Sequence, residues 1–112
     1  MRKQMMENAA YEVASQVRAV EESIEAALVE LAELQTKMVH ARTVTNAGFT
    51  NSHGAFEQLA ATTRDLIAAR GSIGNCHVAL VETRKTIPGL RTVGFGDDDC
   101  PKSHVADLRV VA

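Results

Sequence analysis

Four polar residues whose side chains could bind a ligand or transfer a proton recur seven positions apart: Thr63, Arg70, His77 and Arg84. Seven residues make about two turns of an α-helix, so on a helix these side chains share one face. Two guanidinium groups beside an imidazole could bind a phosphate or a carboxylate. The same row could instead be a polar layer inside a helical bundle, where it would set register and oligomeric state.

Both interpretations require partners for the cations, because an unpaired charge in a low-dielectric interior is costly. Glu21 is the predicted partner of His77 or Arg84, and Gln35 is placed where it could reach Arg70. Arg70, His77, Arg84 and Glu21 are therefore the candidate ligand-binding residues, or else the candidate register-setting layer.

His77 also suggests histidine phosphotransfer, which uses an exposed histidine on a four-helix bundle. The stretch His77-Val78-Ala79-Leu80-Val81 has no Lys or Gly close to the histidine, as that chemistry would favour. The stretch His53-Gly54-Ala55-Phe56 also does not resemble the histidine box of a sensor-kinase dimerisation hairpin. Phosphotransfer and anion binding stay together as the alternative function.

Other candidate chemistry is sparse. His53 and Glu57 are four apart, a spacing that can chelate, and Asp97, Asp98, Asp99, Cys100 and His104 crowd together near the end of the sequence. Neither set has the ligand spacing of a zinc or calcium site. Cys76 is predicted to be a small core residue, and acidic surroundings argue against a reactive Cys100. We assign no catalytic, cofactor-binding or metal-binding residue and expect no enzyme and no cofactor.

Two predicted helices would position these residues. The first is long and extends from about Arg2 to Asn46. Apolar residues along it alternate in steps of four and three, the pattern of a coiled-coil seam. A second helix is expected from about Ala55 to Thr86, with a turn over 47–54 in which Gly48 is the expected left-handed cap. The first seam comprises Met6, Ala10, Val13, Val17, Val20, Ile24, Ala27, Leu31, Leu34, Met38 and Ala41.

Folding one helix onto the other about position 50 pairs residues whose numbers sum to about 100. The seam of the second helix has large residues seven apart, with small residues between them on the same side: Leu59, Leu66, Ile73, Leu80 and Ile87, and Thr62, Ala69, Cys76 and Thr83. Large residues then oppose small ones: Leu31 meets Ala69, and Ile24 meets Cys76. Lys37 would lie near Asp65, and Glu21 near Arg84. The predicted fold class is all-α: a long, antiparallel, coiled-coil-like helical hairpin over residues 1–88. Gly71 and Gly74 interrupt the second helix, either as a tolerated weak spot or as a break.

A second apolar row on helix two comprises Ala60, Ile67, Gly74 and Val81, turned about 100° from its seam. A two-helix hairpin covers little apolar surface, so we expect this row to be the face on which two copies form a four-helix bundle.

Residues 89–112 change character: they are rich in Gly and Asp and end in a short apolar segment, so an irregular tail is expected. A formal net charge of −2 argues against nucleic acid as a partner. No apolar run approaches the ~20 residues that a membrane span needs, no secretory signal is recognised, and a cytoplasmic location is expected. The sequence thus favours a small adaptor, regulatory or assembly protein that acts through protein–protein contacts as a homo-oligomer.

Overall fold

The structure, a computed structural model, describes residues 1–90, and the predicted tail beyond Leu90 lies outside them. Over these residues the chain forms two long α-helices and no strand: α1 spans Arg2–Thr45 and α2 spans Phe49–Lys85. The all-α architecture expected from the seam pattern is confirmed. Neither helix contains a proline, and α1 contains no glycine, so nothing in its backbone interrupts 44 residues of helix.

Only three residues, 46–48, separate the two helices, so the turn is shorter than the predicted 47–54. Asn46 has φ +55° and is the left-handed cap, a role that the sequence had suggested for Gly48. The Asn46 N–H donates to the Thr43 carbonyl and the Ala47 N–H donates to the Arg42 carbonyl, which together form a Schellman motif. Asparagine tolerates this conformation better than most residues, which explains the earlier stop.

Because the turn ends early, α2 begins at Phe49 rather than near Ala55. The Ser52 N–H donates to the Gly48 carbonyl, so Gly48 is the residue that opens α2. Thr50, Asn51 and Ser52, which were candidates for capping this helix, lie inside its first turn. The helix then continues without a break through Gly71 and Gly74. The alternative of a second helix split at these glycines is wrong.

The described residues divide into two compact units, one made of Ser15–Ile73 and the other of Met1–Ala14 together with residues 74–90. The first unit contains the turn and one antiparallel stretch of each helix. An ion pair between Glu25 and Arg70 joins its helices. The numbers of this pair sum to 95 instead of about 100, and a turn centred near position 47 accounts for the difference. The predicted register is therefore wrong by about one and a half helical turns along α2.

In the other unit, the first turns of α1 pack on the last turns of α2. Ala10, Ala14, Val81 and Leu90 form its core. Met6, Leu80 and Ile87 pack against them. Pro88 and Gly89 end the helix, Gly89 has φ +91°, and the Leu90 N–H donates to the Ile87 carbonyl, as in a type II turn. This turn places Leu90 in the core.

The side chains that face outward differ from those that the seam pattern predicted. Val13, Val20, Leu34 and Ala41 of the predicted seam are exposed. On α2 the predicted small seam residues are also exposed, including Cys76, which is a free thiol and not a core residue: Thr62, Ala69, Cys76 and Thr83. The remaining residues of the predicted seam are buried or half-buried, and the exposed positions are replaced by their C-terminal neighbours, such as Ala14, His77 and Arg84. The seam within this chain is thus turned by only part of a one-residue step relative to the prediction.

Candidate functional site

The polar row predicted on α2 divides into buried and exposed members. His77 is only 1% exposed and is the largest fully buried side chain in residues 1–90, and Arg84 is 5% exposed. Thr63 is half-buried, whereas Arg70 is exposed. The partial turn of the seam accounts for the burial of His77 and Arg84, because it brings positions 77 and 84 of α2 toward α1. The sequence predicts partial burial of this polar row only in a dimer, because the row lies between the seam of the second helix and its second apolar row.

The structure does not place Arg70 beside Gln35, the partner that the sequence suggested. Its guanidinium Nε instead binds a carboxylate oxygen of Glu25. Both side chains are exposed to solvent, so this pair contributes less than about 1 kcal/mol to stability. An anion that binds Arg70 would nevertheless have to compete with the negatively charged carboxylate of Glu25. The sequence alone does not predict Glu25 as the partner of Arg70, because which residue of α1 lies opposite Arg70 depends on the length of the turn.

Arg84 lies in the unit formed by residues 1–14 and 74–90, on the wall of an apolar pocket of about 310 Å³. Eight other residues line this pocket: Met6, Ala9, Ala10, Val13, Leu80, Thr83, Ile87 and Leu90. Apart from Arg84 and the Thr83 hydroxyl, these side chains offer only hydrocarbon or sulfur. The pocket therefore favours apolar contact, with one guanidinium group at its edge.

Metal-binding chemistry has little support over residues 1–90. Nε2 of His53 lies 2.9 Å from Oε1 of Glu57, so the pair predicted as a possible chelate exists, but on a fully accessible part of α2. No group of three or more His, Cys, Asp or Glu side chains gathers in this part of the chain. The second metal candidate, Asp97 to Asp99 with Cys100 and His104, lies outside the described residues.

The unit formed by residues 15–73 carries a larger surface feature, a groove of about 770 Å³ between α1 and α2. We call it the Leu34 groove. Its lining is mostly small or aliphatic, with acidic residues at two points: Ala27, Glu30, Leu31, Leu34, Thr62, Asp65, Leu66 and Ala69. An adjoining cavity of about 240 Å³ shares Ala27 and Leu66 with the groove and extends along α1 past Val20. This surface offers no catalytic arrangement, but it has the composition of a helix-docking surface.

The row predicted as the dimer face is only partly available. Ala60 is exposed, Ile67 is 55% exposed and Gly74 is half-buried. Val81 belongs to the core described above and is 8% exposed. The row therefore lacks its last member as a docking residue, because the rotated seam directs Val81 into its own chain.

The sequence matches no protein-family model, no curated protein and no solved structure. Within residues 1–90, neither helix has an apolar stretch long enough to cross a bilayer. Functional inference for this chain therefore starts from the surfaces of its helices.

Proposed function

We propose that this protein is a non-enzymatic helical adaptor, regulatory or assembly protein that acts through protein–protein contacts as a homo-oligomer, with a dimer as the simplest form. The observation that carries the proposal is how little apolar side chain the described residues bury and how much they leave exposed. Val20, Leu34 and Ile67 are among the large apolar side chains that remain exposed.

The interior of the described residues is small. Only six apolar residues of the described chain are buried, and two of them are alanines: Ala10, Ala14, Val17, Leu59, Val81 and Leu90. A core this small supplies little stability for a chain of this length, since each buried aliphatic side chain contributes only about 1.5–3 kcal/mol. A second copy would supply the missing burial.

The alternative function, anion binding or phosphotransfer at Arg70 and His77, has no comparable support. A phosphoacceptor imidazole must be reached by the domain that exchanges the phosphoryl group, and His77 is enclosed in its own chain. Arg70 is already bound to a carboxylate. Buried polar groups of this kind fit a register-setting layer, which is the role that the proposal gives to His77 and Arg84. Partners other than a second copy would bind to exposed helix surface, in a cytoplasmic setting where Cys76 remains a thiol.

Sedimentation equilibrium of the full chain tests the proposal directly. We expect a mass twice the 12.1 kDa of one chain at micromolar concentration. We also expect the urea midpoint of helix loss, followed by circular dichroism, to rise with protein concentration, because association stabilises the folded state by mass action. A mass of one chain together with a concentration-independent midpoint would rule out self-association as the mode of action.

A further inference from the structure

The strongest unassigned feature lies on α1 within residues 15–73, where apolar residues repeat every seven positions outside the intrachain seam. Val20 is 37% exposed and Leu34 is 47% exposed, and Ala27 lies midway between them. Seven-residue spacing places all three on one face of the helix. Single exposed aliphatic residues are ordinary, but a heptad row of them is the pattern of a helix that packs on another helix.

Small residues accompany this row on α2. The Leu34 groove has Ala27 and Leu34 on its α1 wall and Thr62 and Ala69 on its α2 wall. A ridge of larger side chains beside a row of small ones is a surface that can pack against a copy of itself, because the ridge of each copy can fill the other's depression. Self-complementarity is what a two-fold interface requires.

The opposite side of the same unit is less suited to a helix. Ile67 and Ala60 are exposed there, but Glu25 lies on that side of α1, since residues 25 and 27 are about 200° apart on a helix. Its ion pair with Arg70 would have to lose water if a second chain covered it. Desolvating such a pair costs free energy. The Leu34 groove has Glu30 and Asp65 in its lining, but its other residues are small or aliphatic, and burying their methyl and methylene groups gains free energy.

We propose that a second copy of this chain occupies the Leu34 groove, with α1 antiparallel to α1 and the two-fold axis passing close to Ala27. This assignment rests on the proposed self-association and names its surface. Val20 of each copy then faces Leu34 of the other, and Ala27 faces its own counterpart. The same operation sets the flanking charges Glu30 and Lys37 of α1 opposite the uncharged Ser23 and Gln16, so neither of these two side chains meets a like charge.

Cysteine cross-linking of the full chain tests the surface. In a background with Cys76→Ser and Cys100→Ser, Ala27→Cys is expected to give a covalent dimer under mild oxidation, because a two-fold axis brings the two thiols together. Ile67→Cys, on the other side of the unit, is the matched control and is expected to stay uncross-linked. Mixing Val20→Cys with Leu34→Cys is expected to yield the mixed dimer. In an antiparallel pair, Val20→Cys is about 21 Å along the axis from its own counterpart.

A second pair of variants keeps the test informative if the cysteines perturb packing. Leu34→Lys is expected to weaken dimerisation by more than about tenfold, whereas Ile67→Lys should leave the dissociation constant within about threefold of wild type. Helical circular dichroism at 222 nm on both variants verifies that each remains folded. A dimer that cross-links through Ile67→Cys and tolerates Leu34→Lys would overturn the assigned surface while keeping the proposed function. A chain that stays monomeric at every concentration would overturn both.

Discussion

Replacing glycine with alanine is expected to raise the free energy of unfolding at two positions of this fold and to lower it at a third. Gly71 lies in the interior of α2, and a Cβ built there meets no atom within 4 Å. Replacing Gly71 with alanine removes backbone freedom from the unfolded chain and adds no clash. We therefore expect Gly71→Ala to raise the free energy of unfolding by about 0.5–1 kcal/mol.

The matched control is Gly54→Ala, which lies in the same helix and is equally open. It should stabilise by a similar amount, since the backbone at both sites is helical. Gly89→Ala should have the opposite sign. Gly89 has φ +91°, a conformation that costs an L-residue about 1–2 kcal/mol. Its Cβ would meet only the Cε of Met6 at 3.9 Å, an ordinary contact, so the expected loss comes from the backbone alone.

Urea unfolding monitored at 222 nm measures all three variants, at one fixed protein concentration because association shifts the midpoint. A gain of about 1 kcal/mol corresponds to a rise in melting temperature of roughly 4–8 °C for a domain of this size. The decisive comparison is between Gly71→Ala and Gly54→Ala. If Gly54→Ala stabilises and Gly71→Ala destabilises, either another chain covers the helix surface at Gly71 or the helix is interrupted there, and both contradict the reasoning above.

Two further predictions concern the core and the register. Leu90→Ala should lower the free energy of unfolding by about 2–3 kcal/mol, because Leu90 is buried in a core to which Met6 and Ile87 also belong. The control is Ile67→Ala at an exposed position, which should lower it by less than about 1 kcal/mol. Equal losses in urea unfolding would contradict the assigned core. In a background lacking Cys76 and Cys100, a short bis-maleimide should link Glu25→Cys to Arg70→Cys within one chain. The control pair, Glu25→Cys and Asn75→Cys, fits the register in which paired numbers sum to 100. It should react poorly, since Asn75 lies about 7.5 Å farther along α2 than Arg70. Faster cross-linking of the control pair on a denaturing gel would support the register that sums to 100.

The two long helices could be predicted from the sequence because their signals are repeated many times over. The apolar steps of four and three along α1 continue for dozens of residues, and one misleading position cannot change their period. The stop at Pro88-Gly89 was equally readable, because proline cannot donate to a helix and glycine accepts a positive φ. The turn depended on far fewer residues. Asn46 and Gly48 could each be the left-handed cap, and only the packed helices distinguish them.

A small change in the position of the turn produces a large change in which residues of the two helices are paired. A change of two or three residues in the centre of the turn changes every cross-helix pair, because pairing in an antiparallel hairpin is measured from the turn. The sequence also permits two seams on α1. One is the wholly apolar row that includes Val13 and Val20, and the other replaces these with Ala14 and Glu21, one position along, which are buried and half-buried. Apolar content favoured the first, whereas the Glu25–Arg70 pair and the buried His77 belong with the second.

That choice of seam has a physical consequence for how the molecule is used. The chain directs a histidine and an arginine inward, at His77 and Arg84, and leaves its most regular apolar row, through Val20 and Leu34, on the surface. A monomer maximising its own stability would do the reverse, because burying aliphatic groups gains more free energy than burying polar groups, even when the polar groups are paired. The arrangement becomes favourable when a second helix covers the outer row. The inner polar groups then restrict the register in which the hairpin can close, and the outer apolar groups provide the free energy of association.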